Sequence, residues 1–161
     1  SISERRLYRL LDPATNNGLP AFLVNEPGRN SGFMLVQYTA ASLVSESKSL
    51  AHPAAVDSIP SSAGQEDHVS MGMTSARHAR ECVANAEVAI ALEILAAAQG
   101  VDLRHPLRPA KGTAAARDAV RNVIPFLSED RALKPDIDEV VELVQSGELL
   151  EAVEAAVGRL E

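Results

Sequence analysis

The 161 residues are enough for one domain with a real core, and 46% hydrophobic with 23% charged content excludes a disordered chain. Fifteen Lys and Arg against 22 Asp and Glu give a net charge of −7 with no basic block longer than Arg5-Arg6, which excludes a general nucleic-acid binder that works by displacing phosphate counterions. Aromatics make up 3% with no Trp, and a chain so rich in Ala, Val and Leu suits closely packed helices and suits strands poorly.

In chain order, residues 3–12 read as a short helix that Ser3 can cap, with Leu7, Leu10 and Leu11 on one face. Pro13, Gly18, Pro20, Pro27 and Gly28 then punctuate a long connection carrying the apolar patch Ala21-Phe22-Leu23-Val24, so that 1–29 is a short helix and loop. From Asn30 to about Leu50 the stripe Val36, Ala40, Leu43, Ser47 and Leu50 predicts a long helix of roughly 30 Å. Residues 52–68 hold Pro53, Pro60 and Gly64 and form a loop; loops of that length in compact domains are usually functional or disordered, and Ala54, Ala55, Val56, Ile59 and Ala63 argue against disorder.

Val69 to Gln99 reads as one very long helix, with Gly100 as its C-terminal cap and Met73, Ala76, Ala79, Val83, Ala86, Ile90 and Ile94 as its buried stripe. Its stretch Val88 to Ala98 is apolar nearly all round, as in a bundle or an oligomer. Glu93 interrupts that stretch, which falls short of the roughly 20 apolar residues a membrane span needs. In residues 100–161 a helix over Lys111–Val123 stops before Pro125. Asp136 with Glu139 resembles a capping box opening a helix that ends at Gly147, and Glu148–Leu160 forms a last amphipathic helix.

The whole is expected to be all-α, a long-helix bundle in which 30–99 supplies two long helices joined by an active-site loop over 52–68. Helices of that length need partners to cover their apolar faces, which points to other chains or to a further part of this one. Cys82 is the only cysteine, and no signal pattern precedes Arg6, so a soluble, cytoplasmic protein without membrane partners is expected. His52, His68 and His78 fit no common zinc spacing, and no metal is expected.

Chemistry concentrates in Ser62-Ala63-Gly64-Gln65-Glu66-Asp67-His68-Val69-Ser70-Met71-Gly72, where the long loop enters the long helix and Asp67 or Ser70 can cap it. Taken alone, this composition fits an ordinary solvated helix start, where acidic and polar residues are common. Cys82 reads as an inert buried thiol, Met71 and Met73 as core, and Arg77 and Arg80 as a solvated or interchain face.

The same stretch, however, resembles the C-terminal active-site segment of histidine ammonia-lyases, within the aromatic amino acid ammonia-lyase family. So, in order and spacing, do Gly18-Leu19-Pro20-Ala21-Phe22-Leu23, Asn30-Ser31-Gly32-Phe33-Met34, Leu50-Ala51-His52-Pro53-Ala54, Val56-Asp57-Ser58, Pro125-Phe126, Glu129-Asp130-Arg131 and Pro135-Asp136-Ile137. Gly64 stands where the family usually has Asn, and Ser47 and Arg29 also depart from its pattern.

The resemblance implies the C-terminal part of the ammonia-lyase fold, a homotetramer, and elimination of ammonia from L-histidine to give urocanate. It implies Glu66 as the catalytic and substrate-binding residue, where the phenylalanine enzymes of the family have Gln. A carboxylate accepts a hydrogen bond from an imidazole N–H and favours its protonated form, whereas a phenyl ring offers no donor. Met34 and Gln65 are implied as substrate-binding, and Asp67 and His68 as their hydrogen-bonded support.

The family's electrophile is a methylidene-imidazolone made from an internal Ala-Ser-Gly, and its base is a tyrosine from the N-terminal part. This sequence contains no Ala-Ser-Gly, so the chain by itself is expected to carry no such group and to be inactive. Two alternatives stand beside this reading. One is a tyrosine ammonia-lyase or aminomutase of the same family, and the other is a non-catalytic helical oligomerisation module.

Overall fold

The computed structural model describes residues 1–160. Six α-helices follow in order: α1 (Ile2–Leu11), α2 (Met34–Leu50), α3 (Gly72–Asp102), α4 (Lys111–Val123), α5 (Lys134–Ser146) and α6 (Glu148–Val157). Among the described residues there is no strand, only two isolated bridges at Pro27–Asn30 and Ser61–Glu66. The all-α long-helix bundle expected from the sequence is the fold observed.

The 31-residue α3, about 46 Å long at 1.5 Å per residue, is the axis of the molecule. Helices α1, α2, α4 and α5 all pack on it, and α6 packs on α4 and α5. Leu7 and Leu11 of α1, Val36 and Ala40 of α2, Leu92 and Leu95 of α3, and Val120 and Val140 meet in one core. The α1 face read from sequence holds, with Leu7 and Leu11 buried and Leu10 half-buried.

Several boundaries differ from the sequence reading, each for a local reason. Helix α1 begins at Ile2 with Ser1, not Ser3, at its N-cap. Helix α2 begins at Met34 rather than Asn30, because Gly32 at φ +53° holds a tight approach to Phe22 and Val24. Helix α3 runs through Gly100 to Asp102, so Gly100 is no cap. It is instead a place of close packing, where a Cβ would meet Leu10 Cδ1 at 3.4 Å and Leu19 Cδ1 at 3.6 Å. Asp136 forms no capping box, because its carboxylate pairs with Arg131 at 2.5 Å inside a helix that begins earlier, with Pro135 in its first turn. Gly147, left-handed at φ 84°, ends α5 as read, and α6 stops at Gly158, short of Leu160.

The largest difference concerns the buried face of α3. Met73, Val83 and Ile90 are 75%, 57% and 41% exposed, and Ala76, Ala79 and Ala86 are exposed with them. Helix α2 instead covers the adjacent face, where Asn85 Nδ2 donates to Glu46 Oε2 at 2.9 Å and to Ser47 Oγ at 3.3 Å. Only the last member of the stripe, Ile94, is half-buried and packed against the core among the described residues; periodicity alone does not say which part of a face is covered.

Candidate functional site

The segment between α2 and α3, residues 51–71, has no buried residue. Its form comes from a few backbone bonds. The turn at Ala54–Val56 packs on α3. Ser58 Oγ accepts from Val69 N at 2.8 Å and ties the two ends of the loop together. Between them Ser61 N donates to Glu66 O at 2.8 Å, and Glu66 N donates back to Ser61 O at 3.2 Å. Ser62, Ala63 and Gly64 close this turn with φ of 54°, 55° and 87°, three consecutive residues in the left-handed region. Two of these are not glycine, a conformation that costs about 1 kcal/mol or more for each L-residue.

This turn presents Gln65, Glu66, Asp67 and His68 together on the surface, all four exposed. No side-chain hydrogen bond reaches the Glu66 carboxylate from within the described residues, so it is open to an outside donor. Asp67 makes no cap on α3. Ser70 does contribute there, its Oγ accepting from Gly72 N at 3.2 Å.

Met34 is the first residue of α2 and half-buried. The loop leaves the other end of that helix, about 24 Å along the axis at 1.5 Å per residue. Helix α3 runs back antiparallel, with Cys82 and Asn85 beside Ser47, so residues 65–68 lie beyond the C-terminal end of α2. The chain therefore brings 65–68 together and keeps Met34 apart from them.

Met73 proves to be surface rather than core, and Arg77 and Arg80 are exposed. Cys82 is half-buried, its Sγ 3.8 Å from Ser47 O. Among the described residues no three His, Cys, Asp or Glu side chains converge as metal ligands. No helix among them is long and apolar enough to cross a membrane.

Two further polar groups organise the Met34 end. Gln99, fully buried in α3, makes four hydrogen bonds. Its Nε2 donates to Leu23 O at 3.1 Å and Leu127 O at 2.9 Å, and its Oε1 accepts from Leu127 N at 3.1 Å and Arg121 Nη2 at 3.0 Å. Arg121 is held in turn by Asp102, whose carboxylate accepts at 2.6 Å from the Nε of both Arg117 and Arg121. Farther along, both oxygens of Asp130 accept backbone N–H bonds at 2.8 Å, one from Ser31 and one from Gly32. Those two bonds hold its carboxyl below the ordinary aspartate range.

The family model for aromatic amino acid lyases matches residues 1–122. The chain belongs to the aromatic amino acid lyase family. It is similar to a histidine ammonia-lyase of Gloeobacter violaceus, 56% identical over 160 residues, covering 99% of this chain and 31% of that protein. Among solved structures it superposes on a histidine ammonia-lyase from Trypanosoma cruzi with TM-score 0.90 and 51% identity, covering 97% of this chain and 30% of that one. It superposes on a tyrosine aminomutase from Streptomyces globisporus with TM-score 0.91 and 38% identity, covering 99% and 30% respectively. The chain thus spans under a third of the length of these relatives.

Within this aromatic amino acid lyase chain, Asp130 and α5 and α6 lie beyond the matched residues, yet Asp130 reaches back to bond Ser31 and Gly32 inside them. Sequence reading missed Gln99 and Asp130. An amide next to Gly100 at the end of an apolar run was the available signal for Gln99, since a buried polar side chain there must find partners. Asp130 lies in the family-like segment Glu129-Asp130-Arg131, but nothing in that segment names its partners.

Proposed function

We propose that this chain supplies the substrate-side residues of a histidine ammonia-lyase, which removes ammonia from L-histidine without oxidation and yields urocanate. The observation that carries the reading is the exposed carboxylate of Glu66, unpartnered among the described residues, in Gln65-Glu66-Asp67-His68 of a chain 56% identical to a histidine ammonia-lyase. In this reading Glu66 accepts a hydrogen bond from the substrate's imidazole N–H. The pairing orients the ring and favours its charged form. Gln65 and Met34 line the substrate, and Asp67 and His68 support the loop beside it.

The residues of this chain do not fit the family's methylidene-imidazolone. That ring closes around the middle residue of a tripeptide, which must then lose a side-chain hydroxyl to become the alkene. In Ser62-Ala63-Gly64 the middle residue is Ala63, which has no hydroxyl to lose. The electrophile would therefore come from outside these 161 residues, and no step is derived through it.

Met34 and Glu66 sit at opposite ends of α2, so a pocket lined by both draws on more than one copy of the chain. The exposed apolar residues Met73, Val83 and Ile90 give such an assembly, a homotetramer in a cytoplasmic enzyme of histidine breakdown, a face to bury.

The test is Glu66→Gln in the complete enzyme. Urocanate formation from L-histidine is expected to fall about 100-fold. The unfolding free energy of the 161-residue chain, read by urea titration, should stay within about 0.5 kcal/mol. Wild-type turnover in the variant refutes the role of Glu66. A second reading, a tyrosine aminomutase, rests on the likeness of the fold to that enzyme, TM-score 0.91 at 38% identity, against 0.90 at 51% for the histidine ammonia-lyase. Preference for L-tyrosine over L-histidine in the complete enzyme would establish it instead.

A further inference from the structure

The turn that delivers Met34 to the start of α2 is unusually constrained. A Cβ on Gly32 would lie 2.6 Å from Phe22 O and 2.7 Å from Val24 Cβ, so this backbone is pressed directly onto the preceding segment. Phe33 N donates to Phe22 O at 3.0 Å and Met34 N donates to Ser31 O at 3.2 Å. The only N–H groups of the turn that its own segment leaves open are those of Ser31 and Gly32. Both point the same way, and both are taken by one carboxylate 98 and 99 residues downstream.

That carboxylate sits on a fixed arm. Leu127, three residues before Asp130, is buried and held through both its N–H and its carbonyl by Gln99. Because Gln99 also holds Leu23 O, segments 22–33 and 124–130 are cross-linked at their base by an amide and at their tip by a carboxylate. The charges nearby are already engaged. Arg131 pairs with Asp136, Lys134 pairs with Asp138, and the α2 residues lining the same groove (Leu35, Val36, Thr39 and Leu43) do not titrate.

We propose that Asp130 is the positioning residue for Met34: its two oxygens gather the Ser31 and Gly32 amides and thereby set where α2 begins and where Met34 stands. The inference rests on the reading that Met34 lines the substrate. Asp130 itself touches no substrate and acts through the turn. A neutral amide cannot replace it, because Asn offers one acceptor and turns a donor toward the second N–H.

The experiment has two arms. In the 161-residue chain, Asp130→Asn is expected to speed amide hydrogen exchange at Ser31 and Gly32 by about tenfold or more and to shift the Met34 methyl resonance. Exchange at Leu92 and Leu95 should remain as before. An acid titration of the unsubstituted chain gives the same information without a variant. The Ser31 and Gly32 amide proton shifts should move together with a midpoint below the ordinary Asp value of 3.8. Unchanged exchange and amide shifts that do not titrate together overturn the clamp.

In the complete enzyme, Asp130→Asn is expected to raise KM for L-histidine about fivefold with kcat changed less than about twofold. A fall in kcat with KM unchanged, or no change in either, overturns the link from the clamp to Met34. If the unsubstituted complete enzyme does not turn over L-histidine, the proposed function falls, while the exchange and titration results still decide the clamp.

Discussion

The two halves of α3 belong to one continuous helix and are both rich in alanine, yet they live in different surroundings. Between residues 89 and 100 eight of twelve positions are buried, with Ala91, Leu92 and Ala96 inaccessible and Gln99 satisfied by four hydrogen bonds. Between 72 and 87 no residue is buried, and Met73 and Val83 face outward. The C-terminal half is surrounded by α1, α4, α5 and the 124–127 segment, whereas the N-terminal half has α2, one turn of the loop and, at its edge, the bond from Gln145 Nε2 of α5 to Glu87 Oε2 at 2.7 Å. Apolar periodicity declares that a face wants covering. It does not say whether the cover is in the same chain.

The sharpest way to break this comparison is Gln99→Leu. It roughly keeps the volume but leaves Leu23 O, both backbone groups of Leu127 and Arg121 Nη2 without their partner, while Asp102 still holds Arg121 Nε. The chain should lose about 4 kcal/mol of stability in urea titration, since each unsatisfied buried group costs about 1–3 kcal/mol. A loss below about 1 kcal/mol would mean that water replaces the amide freely and that this half is not sealed. Leu92→Ala, in the same half, should cost about 3 kcal/mol through lost burial and the cavity left behind. Val83→Ala, in the other half, should cost less than about 0.5 kcal/mol in the isolated chain. Equal losses at Leu92 and Val83 would refute the difference between the halves.

What was legible in the sequence follows the same division. Helices α4 and the end of α5 were placed from Pro125 and Gly147, because proline and left-handed glycine act locally. Leu7 and Leu11 were read as core correctly. The stripe from Met73 to Ile90 was not, since its outcome depends on which neighbours exist. Gly100 looks like a stop in the sequence and is a contact in the fold, because a glycine in sequence does not show whether it serves φ or space. Residues 65–68 stand side by side because they are consecutive. Their separation from Met34 follows from the length of α2. The role of Asp130 was invisible because its partners are backbone groups nearly a hundred residues away.

A smaller effect comes from acid. Glu4 of α1 is 4% exposed in its side chain and hydrogen-bonded to Arg5, which holds its carboxyl below the ordinary glutamate range against the opposing cost of burial. A carboxyl lowered in the folded state contributes stability that is fully present above its unfolded value, near 4.5. That contribution is lost as pH falls through the folded value. Glu4→Gln should therefore flatten the acid limb of the stability curve below pH 4.5 and leave its shape unchanged above pH 6. A variant with an identical acid limb would show that Arg5, itself 64% exposed, adds nothing measurable.

The loop over 51–71 contributes nothing to the core and is closed on itself by the Ser61–Glu66 pair and the Ser58–Val69 bond. Substitutions at 65–68 can therefore accumulate without drawing down the stability reserve that limits most enzymes when their specificity drifts. On the role proposed for Glu66, a new substrate preference could be reached there one side chain at a time, on a scaffold that does not register the change. The Met34 end offers no such freedom, since its geometry is set by a buried amide and a distant carboxylate. In lineages that share this architecture, variation in what is bound should enter through the loop, and the helix start should stay as it is.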